Sequence, residues 1–175
     1  GMKPTHTGNL TGAIVFIGWT ASIDTTIYTA AMTAPAVITS VDIVDRNVTV
    51  YAVWGYDLNG NGEADALDEV SAPPEIDEIY GGDKTVTGTS SAPEGTVITV
   101  IFPDDDENDA NNPTASGTVD ENGNWSVLVP AGVTLDAGEI VIAIQTEDGK
   151  LPSDPAEETV LVNNDTAEPK PPTYY

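Results

Sequence analysis

The chain has 175 residues, with 29 Asp and Glu against 5 Lys and Arg and a formal net charge of −24. Charge of this sign and size repels phosphate backbones and anionic lipid surfaces, so nucleic acid and membrane insertion are not expected and cations are the natural partners. The chain has no Cys and a single His, His6. Disulfides, thiolate metal sites and a Cys nucleophile are therefore excluded, and a zinc site or Ser-His-Asp triad would have one histidine to draw on.

Thr, Val and Ile number 22, 18 and 13, whereas Leu, Met, Lys, Arg and Gln together number 15. Branching at Cβ suits the pleated backbone, and the unbranched helix formers are scarce, so the composition predicts an all-β protein. The longest apolar run, Ala13–Ile17, is too short to cross a bilayer or to form the core of a signal peptide.

Residues 1–56 are apolar and poor in acid, and they read as a small β module. Its motifs Gly12-x-x-x-Phe16-x-Gly18-Trp19 and Val48-Thr49-Val50-Tyr51-Ala52-Val53-Trp54 resemble the Listeria–Bacteroides (internalin B-type) repeat of bacterial surface proteins. That resemblance implies a β-grasp-like module. The opening hairpin with its Gly-Gly turn has no counterpart here, so it implies an incomplete copy.

Residues 57–74 read as an acidic linker that ends in the stiff Ser71-Ala72-Pro73-Pro74. Within it, Asp57-Leu58-Asn59-Gly60-Asn61-Gly62-Glu63-Ala64-Asp65-Ala66-Leu67-Asp68 places oxygen side chains at positions 1, 3, 5, 9 and 12. Gly62 stands at position 6, and the Glu63 carbonyl is available at position 7. Calcium takes about six to eight oxygen ligands, and a Gly at position 6 permits the sharp turn that wraps the ion. The spacing resembles the calcium loops of thrombospondin type 3 repeats and dockerins. That resemblance implies Asp57, Asn59, Asn61, Asp65 and Asp68 as ligands, with Glu63 acting through its carbonyl. Two features depart from it: position 12 is Asp rather than Glu, and Pro73-Pro74 leaves no room for a full exit helix. A solvated acidic connector is the competing reading.

Residues 75–163 alternate short β-type runs with turn signals. Seven strands are predicted, near Glu75–Ile79, Thr85–Ser90, Thr96–Phe102, Ala115–Val119, Trp125–Val129, Glu139–Thr146 and Glu157–Val162. Ile140, Ile142 and Ile144 share one face of their strand, as do Trp125, Val127 and Val129 of theirs. Ala92-Pro93-Glu94-Gly95 reads as a turn, and Asp120-Glu121-Asn122-Gly123 carries the strongest short hairpin signal, Asn-Gly. Seven strands in such a length fit a two-sheet sandwich. Thr85-Val86-Thr87-Gly88-Thr89, Pro93-x-Gly95-Thr96-x-Ile98-Thr99-Val100 and Val119-Asp120-x-Asn122-Gly123-x-Trp125-Ser126-Val127 resemble bacterial Ig-like domains of surface proteins and adhesins. Asp104–Asn112 is a longer acidic insertion than such a connection needs, and Asp104-Asp105-Asp106-Glu107-Asn108-Asp109 reads as a solvated tip. Residues 164–175 form a Pro-rich tail.

These readings imply a non-catalytic, monomeric segment of a bacterial cell-surface or secreted protein. It would act as a calcium-stiffened spacer and adhesion module, with a protein or glycan on a host or neighbouring cell as its partner. No pair of acids is placed in a cleft for glycoside hydrolysis, and no enzymatic activity is expected. The alternative is a carbohydrate-binding accessory module of a larger secreted enzyme. It would need exposed aromatics, whereas Trp19, Trp54 and Trp125 sit in apolar β-type runs and are expected in cores; Tyr56 and Tyr80 are the candidates for exposure.

Overall fold

The computed structural model describes residues 13–40, 47–103 and 112–163. His6, the acidic run Asp104–Asp109 and the Pro-rich tail lie outside the described residues. The described residues form ten strands and no helix, so the protein is all-β as its composition predicts. None of them forms a helix long and apolar enough to cross a membrane. The chain divides into two compact units, Gly1–Val70 with Asp148–Leu151, and Ser71–Glu147 with Pro152–Tyr175.

Unit 1 is built on β1 (Ala13–Thr20), β2 (Ile27–Tyr28) and β3 (Tyr51–Asp57), in the order β1-β3-β2. β1 runs antiparallel to β3 with a bulge at Ile17, and β2 runs parallel to β3. The two-residue period of β3 puts Val53, Gly55 and Asp57 on its buried face. Phe16, Trp19 and Trp54 are half-buried and meet edge to face, with ring centroids 5.1 Å apart for Phe16 and Trp19 and 5.8 Å for Phe16 and Trp54. The acidic stretch after β3 lies in this unit, which runs on to Val70.

Unit 2 holds all seven strands expected of it. They are β4 (Glu75–Ile76), β5 (Thr85–Thr89), β6 (Val97–Ile101), β7 (Thr114–Thr118), β8 (Asn124–Leu128), β9 (Ile140–Thr146) and β10 (Ala156–Thr159). They make two antiparallel sheets, β4-β5-β8 and β10-β9-β6-β7. Val86, Ile98, Val100, Phe102, Trp125 and Val141 belong to one buried cluster fed by both sheets. The isoleucines of β9 do share a face, but it is the outer one: Ile140 is 50 % exposed, while Val141, Ala143 and Gln145 point into the core. Alternation fixes which residues go together and does not say which set goes inside.

Gln145, 1 % exposed, is the polar member of that inward set. Its Nε2 donates to the Ala72 carbonyl at 2.9 Å, its Oε1 accepts from the Ser90 hydroxyl, and its N–H donates to Ser153 Oγ at 2.9 Å. A buried amide with every group engaged costs little and fixes the segments it touches.

On the facing sheet Trp125 lies across Gly88, its partner in register, and donates Nε1–H to the Thr89 carbonyl at 3.2 Å. A Cβ at position 88 would overlap the Glu75 carbonyl oxygen and the Trp125 ring. Gly88→Ala is expected to destabilise the protein by about 1–3 kcal/mol, the usual cost of overpacking, as measured by urea denaturation.

The Asp120 carboxylate accepts the N–H groups of Asn122 and Asn124, both at 2.8 Å, and these bonds hold its carboxyl below the usual carboxylate range. A depressed folded-state pKa makes the contribution of Asp120 complete above the unfolded value and loses it as pH falls through the folded one. The amide proton signals of Asn122 and Asn124 are therefore expected to move together in an acid NMR titration, with a midpoint below that of an unperturbed Asp.

Candidate metal centre

The acidic loop starts from a strand end. Asp57 closes β3 on its buried face and is 6 % exposed. A carboxylate in that position needs donors, and the loop supplies them: Gly60 N–H reaches Oδ1 at 2.7 Å and Gly62 N–H reaches Oδ2 at 3.0 Å. Both glycines sit in the left-handed region, with φ of 78° and 92°, where a side chain would strain the turn.

The asparagines that precede these glycines make two consecutive turns of their own. Asn59 Oδ1 accepts from Asn61 N–H at 3.1 Å, and Asn61 Oδ1 accepts from Glu63 N–H at 2.7 Å. Their amide nitrogens converge on Asp68, Asn59 Nδ2 donating to Oδ2 at 2.8 Å and Asn61 Nδ2 to Oδ1 at 2.9 Å. Asn61 Nδ2 also reaches the Gly149 carbonyl at 3.0 Å.

Asp65 is 2 % exposed and turned to another task. Its N–H donates to the Tyr56 carbonyl at 2.7 Å, and its Oδ1 accepts from Leu58 N–H at 2.9 Å, which pins the loop back onto β3. Single turns follow in place of a helix: Leu67 N–H donates to the Ala64 carbonyl at 2.7 Å and Asp68 N–H to the Asp65 carbonyl at 3.3 Å. Leu151 N–H then donates to the Glu69 carbonyl at 2.9 Å, and Val70 and Leu151 form a parallel bridge. The Lys150–Glu69 ion pair, 3.8 Å long with Glu69 well exposed, adds little to this.

Of the six positions singled out from sequence, Asn59, Asn61 and Asp68 are therefore brought side chain to side chain. Asp57 lies against the backbone amides of the same loop. Asp65 faces the Leu58 amide, and Glu63 is exposed with only its N–H engaged by Asn61. No three acidic or histidine side chains among the described residues form a metal-holding group. The donor set is nonetheless all oxygen, carboxylates with neutral amides, and that is the chemistry hard cations take. The Gly149 carbonyl is a member that sequence reasoning missed. It is 88 residues from Asn61 along the chain, and Asp148-Gly149 signals a turn without saying where the turn will lie.

Two other features bear on ligand binding. Phe16 meets Trp19 and Trp54 edge to face, and all three rings are half-buried. In unit 2 a hollow of about 580 Å³ is lined by Asp77, Thr87, Thr118, Asp120, Asn124 and Ser126, among others. Its two carboxylates are engaged, Asp77 Oδ2 by the Thr87 hydroxyl at 2.7 Å and Asp120 Oδ1 by main-chain amides. Tyr80 is 38 % exposed, and its hydroxyl donates to Glu78 at 2.8 Å.

No protein-family model matches the chain, and no curated protein sequence matches it.

Asp57→Ala removes the acceptor of two amide donors at once and is expected to cost about 1–3 kcal/mol, whereas Glu63→Ala at the exposed tip should stay within about 0.5 kcal/mol. Urea denaturation of the two variants gives these values. Amide exchange at Gly60 and Gly62 should accelerate only in the first.

Proposed function

We propose that the protein is a non-catalytic segment of a bacterial cell-surface or secreted protein, a calcium-stiffened spacer that also serves in adhesion. The observation that carries this reading is the loop Asp57–Asp68, in which the buried Asp57, the half-buried Asp68 and the exposed Asn59 and Asn61 are gathered at the end of a strand in a chain of net charge −24. Asp57, Asn59, Asn61 and Asp68 would hold the ion with the Glu63 carbonyl, and Asp65 would keep the loop on β3. Calcium would supply the charge that the clustered carboxylates lack and would stiffen the chain between β3 and Ser71. An affinity of about 10⁻⁴–10⁻³ M, the extracellular range, suits a loop with few carboxylates.

The strand order of unit 2 supports an Ig-like sandwich, with seven antiparallel strands divided between β4-β5-β8 and β10-β9-β6-β7. Such a unit exposes loops at its ends while its core stays rigid, which suits both spacing and contact with a partner.

Calcium titration of the chelator-treated protein, followed by NMR, tests the proposal. The amide signals of Asp57–Asp68 are expected to shift and sharpen, and saturation at ten to a hundred times Kd should add roughly 1–3 kcal/mol of stability. Unchanged spectra at several millimolar calcium would reject the metal and the stiffening together.

A further inference from the structure

The chain holds three Asn-Gly steps, Asn59-Gly60, Asn61-Gly62 and Asn122-Gly123, and the structure treats them differently. We propose that Asn122 is a site of spontaneous deamidation, while Asp57 and Asp68 shield Asn59 and Asn61 from the same reaction. This inference does not depend on calcium.

The chemistry needs only water. The main-chain nitrogen of the following residue gives up its proton and attacks the Asn Cγ. A new N–Cγ bond closes a five-membered succinimide, the Cγ–Nδ2 bond breaks, and the amide nitrogen leaves as ammonia with the proton that the attacking nitrogen lost. Water then opens the ring at either carbonyl to give aspartate or isoaspartate, so that an amide and water become a carboxylic acid and ammonia with no change of oxidation state. Gly in the second position lets the nitrogen approach because it carries no Cβ. Two conditions govern the rate in a folded chain: the nitrogen must be able to lose its proton, and the Asn side chain must be free to turn towards it.

Both conditions fail in the acidic loop. The attacking nitrogens are those of Gly60 and Gly62, and each donates its proton to the Asp57 carboxylate, at 2.7 and 3.0 Å. A negative charge that accepts an N–H bond opposes ionisation of that N–H. Each Asn side chain is also tied at both ends. Asn59 is held by Asn61 N–H and Asp68, and Asn61 by Glu63 N–H, Asp68 and the Gly149 carbonyl. Reaching the succinimide geometry there requires the loop to open first.

Neither restraint acts at Asn122. Gly123 N–H donates to the neutral Asp120 main-chain carbonyl at 3.1 Å. The Asn122 side chain is exposed and takes no hydrogen-bond partner among the described residues; only its main-chain N–H is engaged, by Asp120 Oδ1. The site matters to the fold because the turn is docked: Ser90 N–H donates to the Gly123 carbonyl and Asp120 N–H to the Asn124 carbonyl, both at 2.8 Å. Isoaspartate would lengthen the main chain between those two bonds by one carbon and add a charge beside Asp120.

The test compares one protein with itself. The full chain is incubated with chelator at mildly alkaline pH, either native or in concentrated urea, and aspartate and isoaspartate are quantified at the three positions by peptide mapping and mass spectrometry. In urea all three sites should react at comparable rates, because each is Asn followed by Gly in a mobile chain. In the native protein Asn122 should keep most of that rate, while Asn59 and Asn61 should slow by roughly tenfold or more. Native slowing of Asn122 equal to or greater than that of the loop sites overturns the proposal. In Asp68→Ala, the loop sites should speed up while Asn122, serving as the reporter of an intact unit 2, does not change. Loop rates that stay at their native value in that variant overturn the shielding.

Discussion

A carboxylate placed at the buried end of a strand has to be solvated by the protein, and in unit 1 that one requirement organises the chain after β3. Asp57 follows Val53 and Gly55 on the inward face, so its side chain cannot turn to water without reversing the strand. An isolated buried charge of this kind is costly. The chain answers with a loop tight enough to bring two amides back onto it, from Gly60 and Gly62, and only residues that tolerate positive φ can make that turn twice in five positions. The alternation of Asn with Gly follows from the same requirement, since each Asn caps the amide two residues on while the next Gly supplies the turn.

Unit 2 answers a different constraint. Its two sheets share one buried cluster, and each inward position has to be filled without a void. The absence of a side chain at Gly88 admits the indole of Trp125, and the indole N–H is satisfied by Thr89. Gln145 occupies an inward position of β9, where its amide ties Ala72 and its acceptor ties Ser90. The polar residue thus adds a side-chain tie to two irregular segments, of which Ser90 is also held by the Gly123 carbonyl.

Much of this was legible in the sequence, for reasons that can be assigned. Val97–Ile101 announces itself as an unbroken β-branched run, and Asn124–Leu128 by Trp125 and Val127 alternating with Asn124 and Ser126, signals carried within a few positions. The Asn122-Gly123 turn was legible in the same way, but its consequence was not. The strands it joins, β7 and β8, hydrogen-bond into different sheets, because the choice of sheet depends on partners far along the chain. The outward face of Ile140, Ile142 and Ile144 was hidden for a related reason: the same alternation fits either orientation, and the register against β6 and β10 decides between them. In the acidic loop, spacing identified which residues would gather but not which atoms would face which. Asp65 turned to Leu58, and Asn61 found Gly149, a partner that no local pattern can indicate.

The hydrogen bonds of the loop also bound how strongly it could hold an ion. The side-chain oxygens of Asn59 and Asn61 are committed to main-chain amides, and their nitrogens face Asp68. Each Oδ1 accepts a single N–H and keeps a second lone pair, so a cation would share the oxygen with the turn bond. Asp57 likewise accepts one N–H on each oxygen and keeps further lone pairs, so an ion there would share the carboxylate with donors already in place. Neutral amides at two positions keep the ligand charge low, and ligand charge is one of the main controls on calcium affinity. A loop whose oxygens are shared with amide donors and whose ligand charge is low is suited to millimolar surroundings, where the ion is abundant, and poorly suited to scavenging traces of it. The same hydrogen bonds therefore account for the order of the loop and for the protection proposed for its two Asn-Gly steps.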